Sequence, residues 1–82
     1  MQVDIITPEK TVFSGEAISA VLPAWKGEME VLNGHIPYIA VLKKGKIKVN
    51  TETGMNVFSV QEGYARVTRD SIRILTKTIE LL

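Results

Sequence analysis

His35 is the only histidine in this sequence, so any histidine-based catalysis would have to use it. A nucleophilic triad would also need a hydroxyl such as Ser14 or Ser59, and a carboxylate such as Asp70 to orient the imidazole. These residues show no spacing that is typical of such a triad. Residues 33–37 instead have the composition of a turn in which the imidazole can bond to nearby backbone. We therefore expect His35 to have a structural or contact role, and we predict no catalytic residue.

Metal and cofactor sites are equally poorly supported by the sequence. There is no cysteine, and Glu28 and Glu30 alone supply too few oxygen ligands for a calcium site. No glycine-rich phosphate loop precedes a helical pattern. We predict no metal and no cofactor, and we expect the two glutamates to lie on one strand face, towards solvent or a partner.

Lys43, Lys44, Lys46 and Lys48 form the one basic cluster of the chain. A nucleic-acid surface would also need aromatic residues on the same face, and the five aromatic residues are spread over the whole sequence. Ten basic and nine acidic side chains leave a net charge of +1, which is too small to favour counterion displacement. We predict no nucleic-acid binding and expect the lysines to be the solvated side of a hairpin, protecting an edge strand.

Trp25 is the residue with the clearest binding signal. It lies between Pro23 and Gly27 in a predicted loop, where core residues are unusual. Exposed aromatic residues in loops are enriched at protein contacts. The alternative is that the indole ring folds back as a lid over one end of the domain, and the sequence leaves both possibilities open.

Length and composition indicate one small globular domain that spans residues 1–82. Hydrophobic residues make up 45% of the chain and charged residues 23%, which is typical of a folded protein. No apolar run approaches the roughly 18 residues needed to span a bilayer. The first four residues lack the basic and apolar character of a signal peptide. These features predict a soluble cytoplasmic protein.

Alternation with a period of two dominates the sequence and predicts strands rather than helices. A loop is expected at residues 24–27, and the last seven residues, 76–82, fit neither a helix nor a strand clearly. The predicted fold is all-β, a flattened antiparallel β-sandwich or barrel of about eight to ten short strands. The expected strands are 2–7, 11–22 with a bend at Gly15 and with Ile18, Ala20 and Leu22 on one face, 28–32, 38–42, 46–50, 56–61, 64–68 and 71–75, with Ile47, Val49, Phe58, Val60, Ile72 and Ile74 pointing inward.

Several ordered segments resemble the epsilon subunit of rotary F-type ATP synthases. The most specific is Gly-His-Ile-Pro at residues 34–37, and the resemblance extends over essentially the whole chain. The other matching segments are 7–10, 12–17, 27–29, 42–45 and 63–67.

The resemblance implies a non-catalytic β-sandwich in the central stalk of the enzyme. Such a subunit binds the gamma subunit and rests on the c-ring, and it couples proton- or sodium-driven rotation to ATP synthesis. Its expected location is peripheral, at the cytoplasmic face of the bacterial inner membrane. Longer members continue into a C-terminal helical hairpin that can bind ATP and block rotation. Because this sequence ends at Leu82, we expect a short form that couples without this inhibition.

The resemblance also assigns contact residues. Glu28 matches a loop carboxylate that faces the polar loops of the c subunits, where arginine could form a charge-assisted pair. With Glu28, the expected c-ring contacts are Glu30 and Trp25. The expected gamma contacts are Thr7, Leu32, His35 and Ile39. Leu32 is expected to pack beneath the loop that carries Glu28.

Three residues depart from the family pattern. Glu30 stands where glycine is usual, Asn33 where proline is common, and Glu62 at the first position of a usual Gly-Gly pair. Because Glu62 has a side chain where the family has glycine, a close approach by another backbone segment is not expected at residue 62.

The main alternative is a biotinyl- or lipoyl-carrier domain, which has a similar size and a flattened β-barrel. Its modified lysine would be Lys44, before Gly45, although the usual flanking residues are missing. An added cofactor in the intact mass would support this alternative.

Overall fold

Ten β-strands and no helix make up the fold in the computed structural model, which describes all of residues 1–82. Consequently no helix is available that could cross a membrane. The strands are β1 Gln2–Ile6, β2 Thr11–Glu16, β3 Ser19–Ala24, β4 Gly27–Leu32, β5 Tyr38–Leu42, β6 Gly45–Thr51, β7 Gly54–Val60, β8 Gly63–Val67, β9 Ser71–Leu75 and β10 Ile79–Leu81.

The strands form one connected sheet that curls on itself. Their order is β10-β7-β6-β3-β5-β8-β9-β1-β2, and β4 pairs with β3 outside this path. Although β2 and β7 are far apart in this order, Phe13 of β2 packs edge-to-face on Phe58 of β7, with ring centroids 5.8 Å apart. The domain measures 28 × 28 × 19 Å, so the predicted flattened, all-β fold is confirmed. Only the pair of β1 and β9 departs from the predicted antiparallel arrangement, because it is parallel.

The core lies between the two halves of the curled sheet and contains 18 buried hydrophobic residues. Val3 and Ile5 of β1 lie in register with Ile72 and Ile74 of β9, and all four are fully buried. Each such side chain contributes about 1.5–3 kcal/mol relative to an exposed one. The residues predicted to point inward on β6, β7 and β9 are all in this core.

Residues 11–22 do not form the single bent strand that the sequence predicts. The chain breaks at Ala17 and Ile18, and Ile18 is 53% exposed instead of sharing a buried face with Ala20. The reason is that β2 pairs with β1, whereas β3 pairs with β4 and β6 in the other half of the sheet. Gly15 lies inside β2, opposite Val3, and causes no break.

The predicted loop at residues 24–27 is a turn of only two residues, Trp25 and Lys26. Strand β3 continues through Pro23, whose carbonyl accepts a hydrogen bond from the Lys43 N–H at 2.9 Å. The backbone of Pro23 therefore points away from β4. Proline is tolerated at this point because the ladder between β3 and β4 requires no N–H there.

The sheet order settles one segment that the sequence left open and corrects one expectation. Residues Ile79–Leu81 form the short strand β10, antiparallel to β7, because the edge of β7 supplies hydrogen-bond partners that an isolated helical turn would lack. The lysine cluster does not protect an edge strand, because β6 lies between β3 and β7. Lys43, Lys44 and Lys46 are nevertheless exposed, as expected for a solvated surface.

Gly63 is the position where a side chain would be least tolerated. A Cβ atom there would lie 2.5 Å from the Leu75 carbonyl oxygen and 3.1 Å from Thr76 Cβ. A close approach between backbone segments is therefore present at Gly63, the residue after Glu62. Thr76 Oγ1 also donates a hydrogen bond to the Glu62 carbonyl at 2.6 Å, which ties the two segments together.

We expect Gly63→Ala to lower the free energy of unfolding by about 1–3 kcal/mol, because the new methyl group must displace backbone. Gly15→Ala is the matched control, since its Cβ would lie 3.6 Å from the Phe13 ring, an ordinary contact distance. That variant is expected to be neutral or slightly stabilising. Urea denaturation of both variants measures the difference, and equal destabilisation would contradict this account of Gly63.

Candidate partner-binding surfaces

The outer sides of β5, β8, β9 and β1 carry a continuous row of apolar side chains. Val41 lies opposite Tyr64, Tyr64 opposite Leu75, and Leu75 opposite Ile6. Val41, Tyr64 and Leu75 are 47%, 58% and 48% exposed. Ile39 is 71% exposed on the same side of β5. We call Ile6, Ile39, Val41, Tyr64 and Leu75 the apolar face. A contiguous exposed patch of this kind is typical of a protein interface.

Trp25 lies at the border of the apolar face. Its backbone N–H donates to the Val41 carbonyl at 3.0 Å, which fixes the turn between β3 and β4 beside β5. The side chain is 65% exposed, so it does not fold back as a lid. It lines a groove of about 920 Å³ along the apolar face, together with Thr7, Lys43 and Tyr64.

A polar row lies next to the apolar row on the same outer surface. Arg66 lies opposite Arg73, and Arg73 lies opposite Asp4. At the β5 end of this row, Arg66 lies opposite Ile39 of the apolar face. The Asp4 carboxylate accepts hydrogen bonds from Ser14 Oγ at 2.7 Å and Gln2 Nε2 at 3.1 Å. The pKa of Asp4 is lowered below its usual value of 3.8, and the hydrogen bond from Ser14 has the largest effect. The bond from Gln2 and the charge of Arg73 act in the same direction.

Because the pKa of Asp4 is lowered by folding, its carboxylate contributes stability above pH 3.8, and this contribution is lost as the pH falls through the lowered pKa. We expect Asp4→Asn to reduce stability at pH 7 by at most about 1 kcal/mol, since the site is partly exposed to solvent. The variant should also show a shallower loss of stability below pH 4 than the parent chain. Thermal unfolding at a series of pH values measures this, with the exposed Glu9→Gln as control. A parallel pH profile for Asp4→Asn would be inconsistent with the proposed role of Asp4.

The acidic residues of β4 lie on a different surface. Glu28 and Glu30 are exposed on one side of the strand, as predicted, and we call this pair the acidic edge. Leu32 continues the same side and is 52% exposed. The expectation that Leu32 packs beneath a loop is therefore wrong, because the alternation of β4 directs Val31, and not Leu32, into the core.

His35 is half-buried in the connection between β4 and β5. Its Nδ1 lies 3.2 Å from the Ile36 carbonyl oxygen, which confirms the predicted bond to nearby backbone. The ring packs edge-to-face on Tyr38 at 5.1 Å, and the Tyr38 hydroxyl donates to Met29 Sδ at 3.8 Å. Burial raises the pKa of the Tyr38 phenol above 10.0. Gly34, at φ 84°, donates its N–H to the Arg69 carbonyl and fixes the start of this segment.

The structure brings together some of the predicted contact residues and separates others. Thr7 and Ile39 lie at the apolar face, whereas Leu32 lies with the acidic edge. Trp25 and Glu28 share a smaller groove of about 470 Å³ with Ile39. Val41, Tyr64 and Leu75 are contact candidates that were not predicted from the sequence. The usable signal was one apolar residue on the outward side of each strand, in addition to the apolar residues of the inward side.

The whole chain, residues 1–82, matches the sequence profile of the family described as "ATP synthase, Delta/Epsilon chain, beta-sandwich domain". This chain belongs to that family. The family match does not favour the biotinyl- or lipoyl-carrier alternative. Lys44, the candidate for modification, lies between β5 and β6 and lines the larger groove.

Curated relatives include two proteins named "ATP synthase epsilon chain". The one from Staphylococcus saprophyticus is 36% identical over 81 residues, which are 98% of this chain and 60% of the relative. The one from Helicobacter pylori strain Shi470 is 37% identical over 75 residues, covering 92% of this chain and 61% of the relative. The chain thus spans about 60% of the length of these relatives.

Two solved structures support the family's fold. A chain in the OSCP/F1/c-ring structure of Euglena gracilis mitochondrial ATP synthase superposes with a TM-score of 0.88 at 22% identity, covering 96% of this chain and 51% of that one. A chain in the central stalk/c-ring structure of Tetrahymena thermophila mitochondrial ATP synthase gives 0.78 at 17% identity, covering 96% and 64%.

Proposed function

We propose that this family member is a non-catalytic connector in the central stalk of an F-type ATP synthase. It binds the gamma subunit through the apolar face and the c-ring through the acidic edge, and so couples proton- or sodium-driven rotation to ATP synthesis. The complex holds it peripherally at the cytoplasmic face of a bacterial inner membrane. The observation that carries the proposal is the row of exposed Val41, Tyr64 and Leu75 with the half-buried Ile6, in a domain of the delta/epsilon family.

The apolar face suits a permanent partner for an energetic reason. Covering Ile39, Val41, Tyr64 and Leu75 removes apolar surface from water, at about 25 cal/mol for each Å². A domain of 82 residues has a small core, and a partner that binds only the folded state stabilises it further. The interface therefore supports both assembly and folding.

The acidic edge suits a partner with basic polar loops. Glu28 and Glu30 are exposed, and their carboxylates can form charge-assisted pairs with arginine or lysine side chains of the c subunits. Such pairs at the rim of an interface affect orientation and association rate more than affinity. Trp25, in the adjacent turn, adds an exposed aromatic contact next to Glu28.

A connector that transmits torque must resist deformation. In this domain the ten strands are continuous in one hydrogen-bonded sheet, and the curled sheet encloses a single core. Neither surface requires a reactive group for this role, so the function depends on stiffness and on two adhesive sides.

We expect Tyr64→Ala to weaken binding to a gamma subunit from the same source by about 1–3 kcal/mol, because it removes the central side chain of the apolar face. Met55→Ala is the control, since Met55 is 54% exposed on β7, outside that face. Isothermal titration calorimetry measures both affinities. Tight binding that Tyr64→Ala leaves unchanged would exclude the apolar face as the gamma surface, and no complex with the parent chain would refute the stalk function.

For the c-ring, we expect the double change Glu28→Gln and Glu30→Gln to slow association and to reduce its salt dependence, because exposed charges act over a Debye length. The loss in affinity should be tenfold or less, about 1.4 kcal/mol. Binding of the chain, in complex with gamma, to c-rings in liposomes measures this at low and high salt. Glu52→Gln, in the turn between β6 and β7, is the control. An unchanged salt dependence in the double variant would argue against the acidic edge as the contact.

A further inference from the structure

Strand β5 has one edge without a strand neighbour. It pairs with β8 along Tyr38–Leu42, but on its other side it pairs with β3 only where Leu42 meets Ala24. The Val41 carbonyl accepts from the Trp25 N–H, so the backbone of Val41 points away from β8. Backbone direction alternates along an antiparallel ladder, so the backbone of Ile39 points the same way. The N–H and C=O of Ile39 therefore face a side where no strand pairs with them.

This edge lacks the features that protect other free edges. Natural sheets guard their edges with charged residues, proline or short strands. The acidic edge protects β4 with two glutamates, and β10 is only three residues long. In contrast, β5 reads Tyr-Ile-Ala-Val-Leu, with no charge, proline or glycine. An exposed, wholly apolar edge of this kind is an aggregation hazard unless a partner covers it.

The free edge of β5 opens into the smaller groove. This groove of about 470 Å³ is lined by residues 24–29 and 38–41, and the bond of Tyr38 to Met29 joins its two sides. Pro23 and Glu28 lie opposite each other in β3 and β4. Because the Pro23 carbonyl points towards Lys43, these two residues form a pair without hydrogen bonds between them. The backbone of Glu28 consequently also faces away from β3. The unpaired backbone groups beside the groove are therefore those of β5, since Glu28 directs its own to the edge of β4 that faces away from β5.

We propose that the gamma partner inserts an extended segment into this groove and adds a strand to β5 at Ile39. The inference rests on the proposed function and specifies how that partner binds. The added strand accepts a hydrogen bond from the Ile39 N–H and donates one to its carbonyl. An apolar side chain of the segment lies beside Ile39, and Glu28 and Trp25 stay available to the c-ring.

Continuity with the apolar face is the reason for choosing this occupant. Ile39, Val41 and Trp25 line the smaller groove, and Val41 and Trp25 also line the larger one along the apolar face. A partner that covers the apolar face therefore reaches the free edge without a separate docking event. The free edges of β2 and β10 lie at the ends of the sheet order, away from this face.

Ile39→Pro separates backbone pairing from side-chain contact. Because the Ile39 N–H points away from β8, proline removes a donor to the partner without removing a bond of the sheet. Ile39→Ala is the matched control, which keeps the N–H and removes most of the side chain. We expect Ile39→Pro to bind the gamma subunit about five- to tenfold more weakly than Ile39→Ala, the effect of one hydrogen bond. Equal affinities of the two folded variants would overturn strand addition.

Amide hydrogen exchange tests the same inference without a substitution, should Ile39→Pro not fold. The Ile39 amide should exchange rapidly in the isolated chain and at least about tenfold more slowly in the complex with gamma. The Ala40 amide, which faces β8 in both states, is the internal control. A stoichiometric complex in which the Ile39 amide stays unprotected would refute strand addition while the stalk function stands. Failure of the parent chain to bind gamma would overturn both.

Discussion

Strand β3 pairs with three different strands along its length, and the shape of the domain depends on this branching. Its first residues pair with both β4 and β6, and its last residue, Ala24, pairs with β5. A strand has only two edges, so β6 must give way to β5 on one of them, and the sheet curls as it does so. This curl creates the enclosed core, and it leaves β5 extending beyond the turn at Trp25 with one side unpaired.

The pair of β1 and β9 has a complementary effect on the surface. As the only parallel pair, it places the first strand of the chain beside one of the last. It also aligns Ile6 with Leu75, which completes a row that begins at Val41. The apolar face is thus assembled from four strands, of which only β8 and β9 are neighbours in sequence. The same register that fills the core fixes the positions of its exposed residues.

Local alternation predicted much of this fold, and non-local pairing accounts for what it missed. Strands β5 and β9 have the predicted bounds, because each is a short run rich in strand-forming residues with a turn at both ends. The break at Ala17 was not predictable, since it arises where the chain passes from one half of the sheet to the other. Leu32 shows the same limit at the candidate site. The resemblance implied that it packs beneath a loop, whereas the register of β4 places it beside two exposed glutamates.

The resemblance to the family supplied the candidate contacts but not their arrangement. Glu28 and Glu30 share one side of β4 because residues two apart in a strand point the same way, and this followed from spacing alone. The proximity of Trp25 to Tyr64 did not, because it depends on the pairing of β3 with β5 and of β5 with β8.

Trp25 also gives the domain an optical property. It is the only tryptophan, its ring is largely exposed, and it lines both grooves at the junction of the apolar face and the acidic edge. Indole emission responds to the polarity around the ring, so a molecule that covers either surface changes the spectrum of this single fluorophore. The domain therefore carries its own spectroscopic label at the point where two partners would meet.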